Sequence, residues 1–217
     1  RARVQERRGD VAFRSGRVDL AIECWERALA ARDAAGQIAH AAELHRKIGS
    51  GHWQKGDRES SISHFQRGID LLKDGDPCRE LVELYEEAAS LYLETGDNML
   101  AIYAAEKAQR LAEALGPSST AARASLTFGR VFGRIGDIAR ARESLERSVE
   151  LARQVSPGEA IGALIALGRH LEIAEADYEA AEAVCREALG HADELGDVPA
   201  QIELHAALGQ LSTYPAR

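Results

Sequence analysis

The sequence predicts an all-α solenoid of antiparallel helix pairs, and three observations carry that prediction. A pivot, Gly56-Asp57, returns at intervals of 40 residues as Gly96-Asp97 and Gly136-Asp137, and in weaker form as Gly16-Arg17 and Ala176-Asp177. Two columns downstream of each pivot hold only small residues: Ala21, Ser61, Ala101, Ala141 and Ala181, then Ala28, Gly68, Ala108, Ser148 and Ala188. Helix stops and starts alternate about every 20 residues, giving two helices per unit, and no strand pattern competes with them. Self-similarity at such a period marks stacked repeats that bury a core against their neighbours.

Composition agrees with this class and removes others. Over 217 residues the chain is 45% hydrophobic and 29% charged, enough apolar surface to fold and too much for a disordered segment. Aromatics are only 5%, which suits an Ala/Leu-rich helical protein. A formal net charge of −8 argues against nucleic acid and membrane surfaces as partners, because both demand a basic face. Cys24, Cys78 and Cys185 are odd in number and far apart, without a C-x-x-C pair. Neither a disulfide framework nor a zinc site is indicated, and a reducing, cytoplasmic setting fits best. No apolar run reaches the 18 or so residues of a membrane span. The chain begins at Arg1, without an initiator Met and within a helical pattern, so a fragment of a larger protein is expected.

The elements follow in order from their punctuation. Gly16, Gly36, Gly56, Gly96, Gly116, Gly136 and Gly196 stand where helices should end in a left-handed residue. Asp57, Asp97, Asp137, Asp177 and Asp197 come next and can cap the following helix. Asp76-Pro77 and Ser156-Pro157 read as a cap followed by a first-turn proline. The helices so predicted are 2–14, 18–34, 37–54, 58–73, 77–94, 98–115, 118–134, 138–155, 158–173, 178–195 and 198–212. Each is ~25 Å long at about 1.5 Å per residue.

The small columns have a packing meaning. Antiparallel helices approach closely only where side chains are short, so Ala21, Ala101, Ala141 and Ala181 belong at the crossings. Trp25, Phe65, Leu145 and Cys185, one turn further on, then face the interior. Gly9, Gly49, Gly129, Gly168 and Gly209 form a matching column in the first helices. A glycine inside a helix costs ~1 kcal/mol relative to alanine, so its repetition implies steric need.

The columns Ile48-Gly49, Gly56, Ser61, Phe65 and Gly68 resemble the tetratricopeptide repeat: a Leu-Gly-like pair, then small, aromatic and small residues in the second helix. The resemblance covers essentially the whole chain, 1–217, as one domain of five repeats, about 1–35, 36–75, 76–115, 116–155 and 156–196, with a terminal helix at 197–212. The 40-residue unit exceeds the family's usual ~34 and lacks its late proline, a form similar to arrays attached to signalling ATPases, bacterial transcription regulators and peptide-sensing receptors. Leu167-Gly168 lies one residue early relative to Ala176-Asp177, so the fifth unit carries an insertion and should kink or bulge.

The resemblance implies a right-handed superhelix whose first helices line a concave groove that binds a protein segment or peptide, without catalysis or cofactor. Carried over position by position, the groove divides into two halves. Its N-terminal half offers an apolar stripe, Phe13, Trp53 and Leu93, with Arg46, Ser50 and Ser90 beside it. Its C-terminal half offers Leu126 and Ile165 beside Arg123, Arg130, Arg134 and Arg169. Guanidinium forks beside an apolar floor suit an extended acidic peptide. Each feature has a plainer reading: Trp53 packs on a neighbouring repeat, and the arginines pair within the molecule. Glu80, Glu83, Glu86, Glu87 and Glu94 read as a wet helix face, or as a surface opposing a basic partner. The Lys/Asn carboxylate clamp of some family members is not met, which argues against chaperone C-terminal tails as clients.

No catalytic or metal constellation stands out. His40, His45, His52 and His64 lack the i,i+3 or i,i+4 spacing that ligates one ion on a helix, and His45 and His52 fall on packing positions. Gly49-x-Gly51 lacks the third glycine and the strand of a dinucleotide fingerprint. The alternative to a peptide groove is self-association into a homodimer through the helix at 198–212 or the N-terminal apolar stripe.

Overall fold

The computed structural model describes residues 2–116 and 118–214. Among these are eleven α-helices and no strand: α1 (Ala2–Arg14), α2 (Val18–Ala34), α3 (Ile38–Gln54), α4 (Arg58–Leu72), α5 (Arg79–Thr95), α6 (Asn98–Leu115), α7 (Ser119–Ile135), α8 (Ile138–Val155), α9 (Pro157–His170), α10 (Tyr178–Leu195) and α11 (Val198–Leu211). A π-helical turn, Leu171–Glu175, continues α9. The chain forms two compact units, Arg1–Ala114 and Leu115–Arg217, and each is a run of helix hairpins joined by short turns.

The turns obey the glycine and aspartate punctuation. All seven glycines expected at helix ends have positive φ, between +64° at Gly36 and +87° at Gly136. Asp57, Asp137, Asp177 and Asp197 accept from the backbone N–H three residues on, as do Ser118 and Ser156. Pro157 opens α9 as expected. Asp76-Pro77 does not open α5. The helix starts at Arg79, because Cys78 takes the cap position in an extended conformation with φ −143°.

The small columns lie at the hairpin crossings. Ala21, Ser61, Ala101, Ala141 and Ala181 are each fully buried, and so are Ala28, Ala108 and Ala188. The glycine column of the first helices turns out to be the socket for the bulky column of the second. A Cβ on Gly9 would stand 2.5 Å from the Trp25 indole, on Gly49 2.6 Å from Phe65, on Gly129 2.7 Å from Leu145 and on Gly168 2.9 Å from the Cys185 sulfur. All four distances lie below van der Waals contact, so each glycine is required by its partner. The fifth glycine of the column differs: a Cβ on Gly209 would meet nothing within 4 Å.

The insertion in the fifth repeat appears as the π turn. One extra residue between Gly168 and Asp177 widens the helix over Leu171–Glu175, and the chain leaves it through Ala176 at φ +54°. This is the one non-glycine at positive φ among the described residues. Glu175, swung out by the wide turn, binds Arg142 of α8 at 2.6 Å and lies 3.3 Å from the buried His170.

The acidic face expected on α5 is not a wet one. Glu83 and Glu86 are only 6% and 4% exposed, on a helix that packs against both α3 and α4. Glu83 is held by Arg79 at 2.8 Å and Arg46 at 3.4 Å. All three cysteines are free thiols, and burial pushes the Cys185 thiol up, aided by Glu172. Among the described residues, no helix is long and apolar enough to cross a membrane.

Candidate functional site

In the first unit the exposed faces of α1, α3 and α5 border a cavity of about 480 Å³ between Phe13, Trp25, Arg46 and Ser50. Its charges answer one another. Lys47 reaches Asp10 at 3.1 Å, Glu6 at 3.2 Å and Glu43 at 3.3 Å. Burial pulls the Lys47 pKa down, but the Asp10 hydrogen bond and the charges of Glu43, Asp10 and Glu6 outweigh it, so the ammonium is held charged. Asp10 also accepts from the Trp25 indole N–H at 3.0 Å. Arg46 binds Glu87 at 2.6 Å, and the Ser50 hydroxyl donates to the same carboxylate. Phe13 leans on Trp25, with ring centroids 5.3 Å apart. Leu93 is buried and Trp53 half-buried, neither lining the cavity, so the expected apolar stripe is not a continuous exposed surface. Ser90 is half-buried on α5.

Behind this face, α3 and α4 enclose three histidines. His45 and His64 bring their Nδ1 atoms within 3.0 Å, and His52 stacks on His64 at 5.6 Å. Burial drives the His64 pKa down to about 4, with help from the charges of His45, His52 and Arg67. Burial also lowers His45, against the pull of Asp33. Among the described residues, no group of three or more His, Cys, Asp or Glu is placed to hold a metal ion.

In the second unit the corresponding faces of α7 and α9 border a cavity of about 510 Å³. Leu126 and Arg123 of α7 form one side, Gly158, Glu159 and Gly162 of α9 the other, and Ser148 and Ala152 of α8 the floor. The Ser148 hydroxyl is satisfied by the Ala122 carbonyl at 2.8 Å. Arg123, Leu126, Arg130 and Arg134 follow one another at spacings of three and four and so share one face of α7, a helix with no acidic residue. Arg130 and Arg134 are exposed and have no acidic partner among the described residues. Arg169, on α9, is exposed but bound to Glu203 of α11 at 2.9 Å. Ile165 is half-buried on the same face.

Two tetratricopeptide-repeat models match this sequence, one over residues 1–74 and 80–154, the other over 126–197. The chain belongs to the tetratricopeptide-repeat family. Its fold is shared at low identity with several solved structures. A Rap protein complexed with Competence and Sporulation Factor has a TM-score of 0.77 at 16% identity, covering 95% of this chain and 61% of that one. BtubC from P. vanneervenii gives 0.74 at 20%, covering 95% and 82%. The Rap conjugation gene regulator of plasmid pLS20, in complex with the Phr* peptide, gives 0.69 at 18%, covering 93% and 56%. No curated protein sequence matches the chain.

Within this tetratricopeptide-repeat frame the transferred positions fall on exposed or half-buried faces of first helices, except for Leu93. The sequence reading left the pairing of the cations open. A signal for it exists: Glu6–Lys47 and Arg46–Glu87 are 41 residues apart, and Asp10–Lys47 and Ser50–Glu87 are 37 apart. Neighbouring first helices therefore match residues at offsets of 37 and 41. From Arg130 those offsets lead forward to Leu167 and Leu171, which cannot answer a charge. From Arg134 one of them leads to Glu175, which the π turn commits to Arg142 and His170. Gly158 and Gly162 were also missed; their signal was that they lie outside the repeat's glycine column.

Proposed function

We propose that this chain is a non-catalytic binding module, the sensing or interaction part of a larger regulatory protein, that takes a protein segment or peptide along the exposed faces of α7 and α9. One observation carries the reading: among the described residues Arg130 and Arg134 have no carboxylate partners, and they stand beside an apolar strip, Leu126 and Ile165, and an open cavity. A guanidinium exposes five donors in a planar fork, and a segment bearing carboxylates satisfies them where the protein does not. Rap-type proteins of similar fold, solved with a bound factor or peptide, lend support. The first unit is a poorer host, because a ligand there must displace ion pairs already made.

The test is a fluorescence-anisotropy titration with a labelled peptide of alternating Leu and Glu. Arg130→Glu with Arg134→Glu should weaken capture by at least ~10-fold, about 1.4 kcal/mol, and leave the melting temperature unchanged. Equal binding by both proteins would end this reading. A second reading, self-association, is favoured by the exposed Leu195, Val198 and Ile202 at the end of α10 and on α11. Light scattering over a concentration series decides it: a dimer that Ile202→Glu dissolves supports it, and a monomer at every concentration excludes it.

A further inference from the structure

Gly162 sits in the middle of α9, where a glycine weakens the helix relative to alanine. Four glycines of the first-helix column, Gly9, Gly49, Gly129 and Gly168, are explained by what they seat: Trp25, Phe65, Leu145 and Cys185 leave no room for a Cβ. At Gly162 a Cβ would meet nothing within 4 Å, and at Gly158, one turn earlier, only an ordinary contact of 3.5 Å to Leu195. Neither has a positive φ. The fold makes no demand for glycine at either place. Both instead border the 510 Å³ cavity, where any side chain would project into the open space. That volume lies in the ~300–1,000 Å³ range of pockets that bury ligand groups.

The walls decide what such a group is. Ala122, Leu126, Ala152 and Ala163 are apolar, and the one hydroxyl in the floor, Ser148, is already bonded to a carbonyl. The charged Arg123 and Glu159 stand at the sides and the mouth, so the depth of the cavity is the apolar part, where a bulky apolar side chain gains by leaving water. From Leu126, Arg130 stands about 6 Å and Arg134 about 12 Å further along α7. An extended peptide advances ~3.3 Å per residue, so carboxylates roughly two to four residues from an apolar anchor reach these guanidinium groups. Glu159 at the mouth of the cavity repels a carboxylate next to the anchor.

We propose that the Gly158/Gly162 wall forms the anchor pocket of the peptide site: it receives one bulky apolar side chain, leucine or aromatic, of a segment whose acidic residues lie two to four positions away. This rests on the peptide-binding reading above and adds to it a pocket, an anchor and a register. The test fills the pocket without disturbing the fold. Gly162→Leu should keep or raise the melting temperature while weakening a peptide with one Leu and one Glu three residues on by at least ~10-fold, with Gly162→Ala intermediate. On the wild type, replacing that Leu by Ala, or moving the Glu next to it, should cost a similar factor. Should Gly162→Leu impair folding, Gly162→Ala and the two altered peptides carry the test alone. Sensitivity to Arg130→Glu/Arg134→Glu combined with indifference to Gly162 substitution and to the anchor overturns this proposal and leaves the peptide-binding reading standing. Indifference to all of them overturns both.

Discussion

The two units carry cavities of similar size on matching faces, yet one is closed by its own charges and the other is not. In the first, Arg46 and Lys47 are each held by at least two carboxylates, and the hydroxyl of Ser50 is drawn into the same set. In the second, α7 has three arginines and no acid, and two of them face solvent with no acidic partner among the described residues. The repeat sets where a side chain stands. Whether that side chain is structural or available depends on what stands one repeat away. Half-buried ion pairs contribute to the first face only while both partners are present, since removing one leaves a poorly solvated charge. The exposed arginines of the second contribute almost nothing to stability, and their donors are on offer.

The largest expected effect comes from reversing a charge on each face. Lys47→Glu would set a new carboxylate against Glu6, Asp10 and Glu43, and should destabilise the first unit by about 3–5 kcal/mol. Arg130→Glu should change stability by less than about 0.5 kcal/mol. Urea denaturation compares the two, and equal losses would erase the distinction between the faces. The glycines give a second contrast. Gly49→Ala forces a Cβ to 2.6 Å from the Phe65 ring and should cost about 1–3 kcal/mol. Gly162→Ala, in open space, should gain roughly 0.5–1 kcal/mol.

Acid sharpens the comparison further. With its pKa pushed down to about 4, His64 stays neutral in the folded first unit while the unfolded chain takes up a proton near the ordinary 6.5. The unfolded state then binds more protons, so stability falls as pH drops from 6.5 towards 4 and is unaffected above 7. Both tryptophans, Trp25 and Trp53, lie in the first unit, so indole fluorescence follows this loss directly. His64→Gln should flatten the dependence, and an unchanged acid transition would show that the histidine cluster is not its source. A small effect is also expected at the π turn, where Ala176→Gly relieves the φ of +54° and should stabilise the second unit by roughly 0.5–1 kcal/mol in a thermal melt.

Much of the architecture was legible because it is written in local, repeated signals. Glycine at a helix end and aspartate after it act within a single turn, and they placed nearly every boundary. Even the π turn was visible as a one-residue misregister at Leu167-Gly168. Local signals also failed locally: Asp76-Pro77 looks like a helix start, but the helix begins at Arg79, after an extended Cys78. The site was less legible because its character depends on pairs about one repeat apart. Nothing adjacent to Arg46 says that Glu83 and Glu87 will bind it, and nothing adjacent to Glu83 says that it will be buried. Reading first helices against one another at offsets of 37 and 41 would have separated Arg46 from Arg130. The sequence marks Gly162 only as a glycine outside the repeat's column, and the empty space around it shows that it seats no neighbour.

The most direct measurement is amide hydrogen exchange of the intact chain with and without a peptide carrying one Leu and one Glu three residues on. The account predicts new protection confined to α7, α9 and the α8 segment flooring their cavity, with α1, α3 and α5 unchanged. Protection on α1, α3 and α5 with α7 and α9 unaltered would contradict it, because a closed face would then be the one that binds.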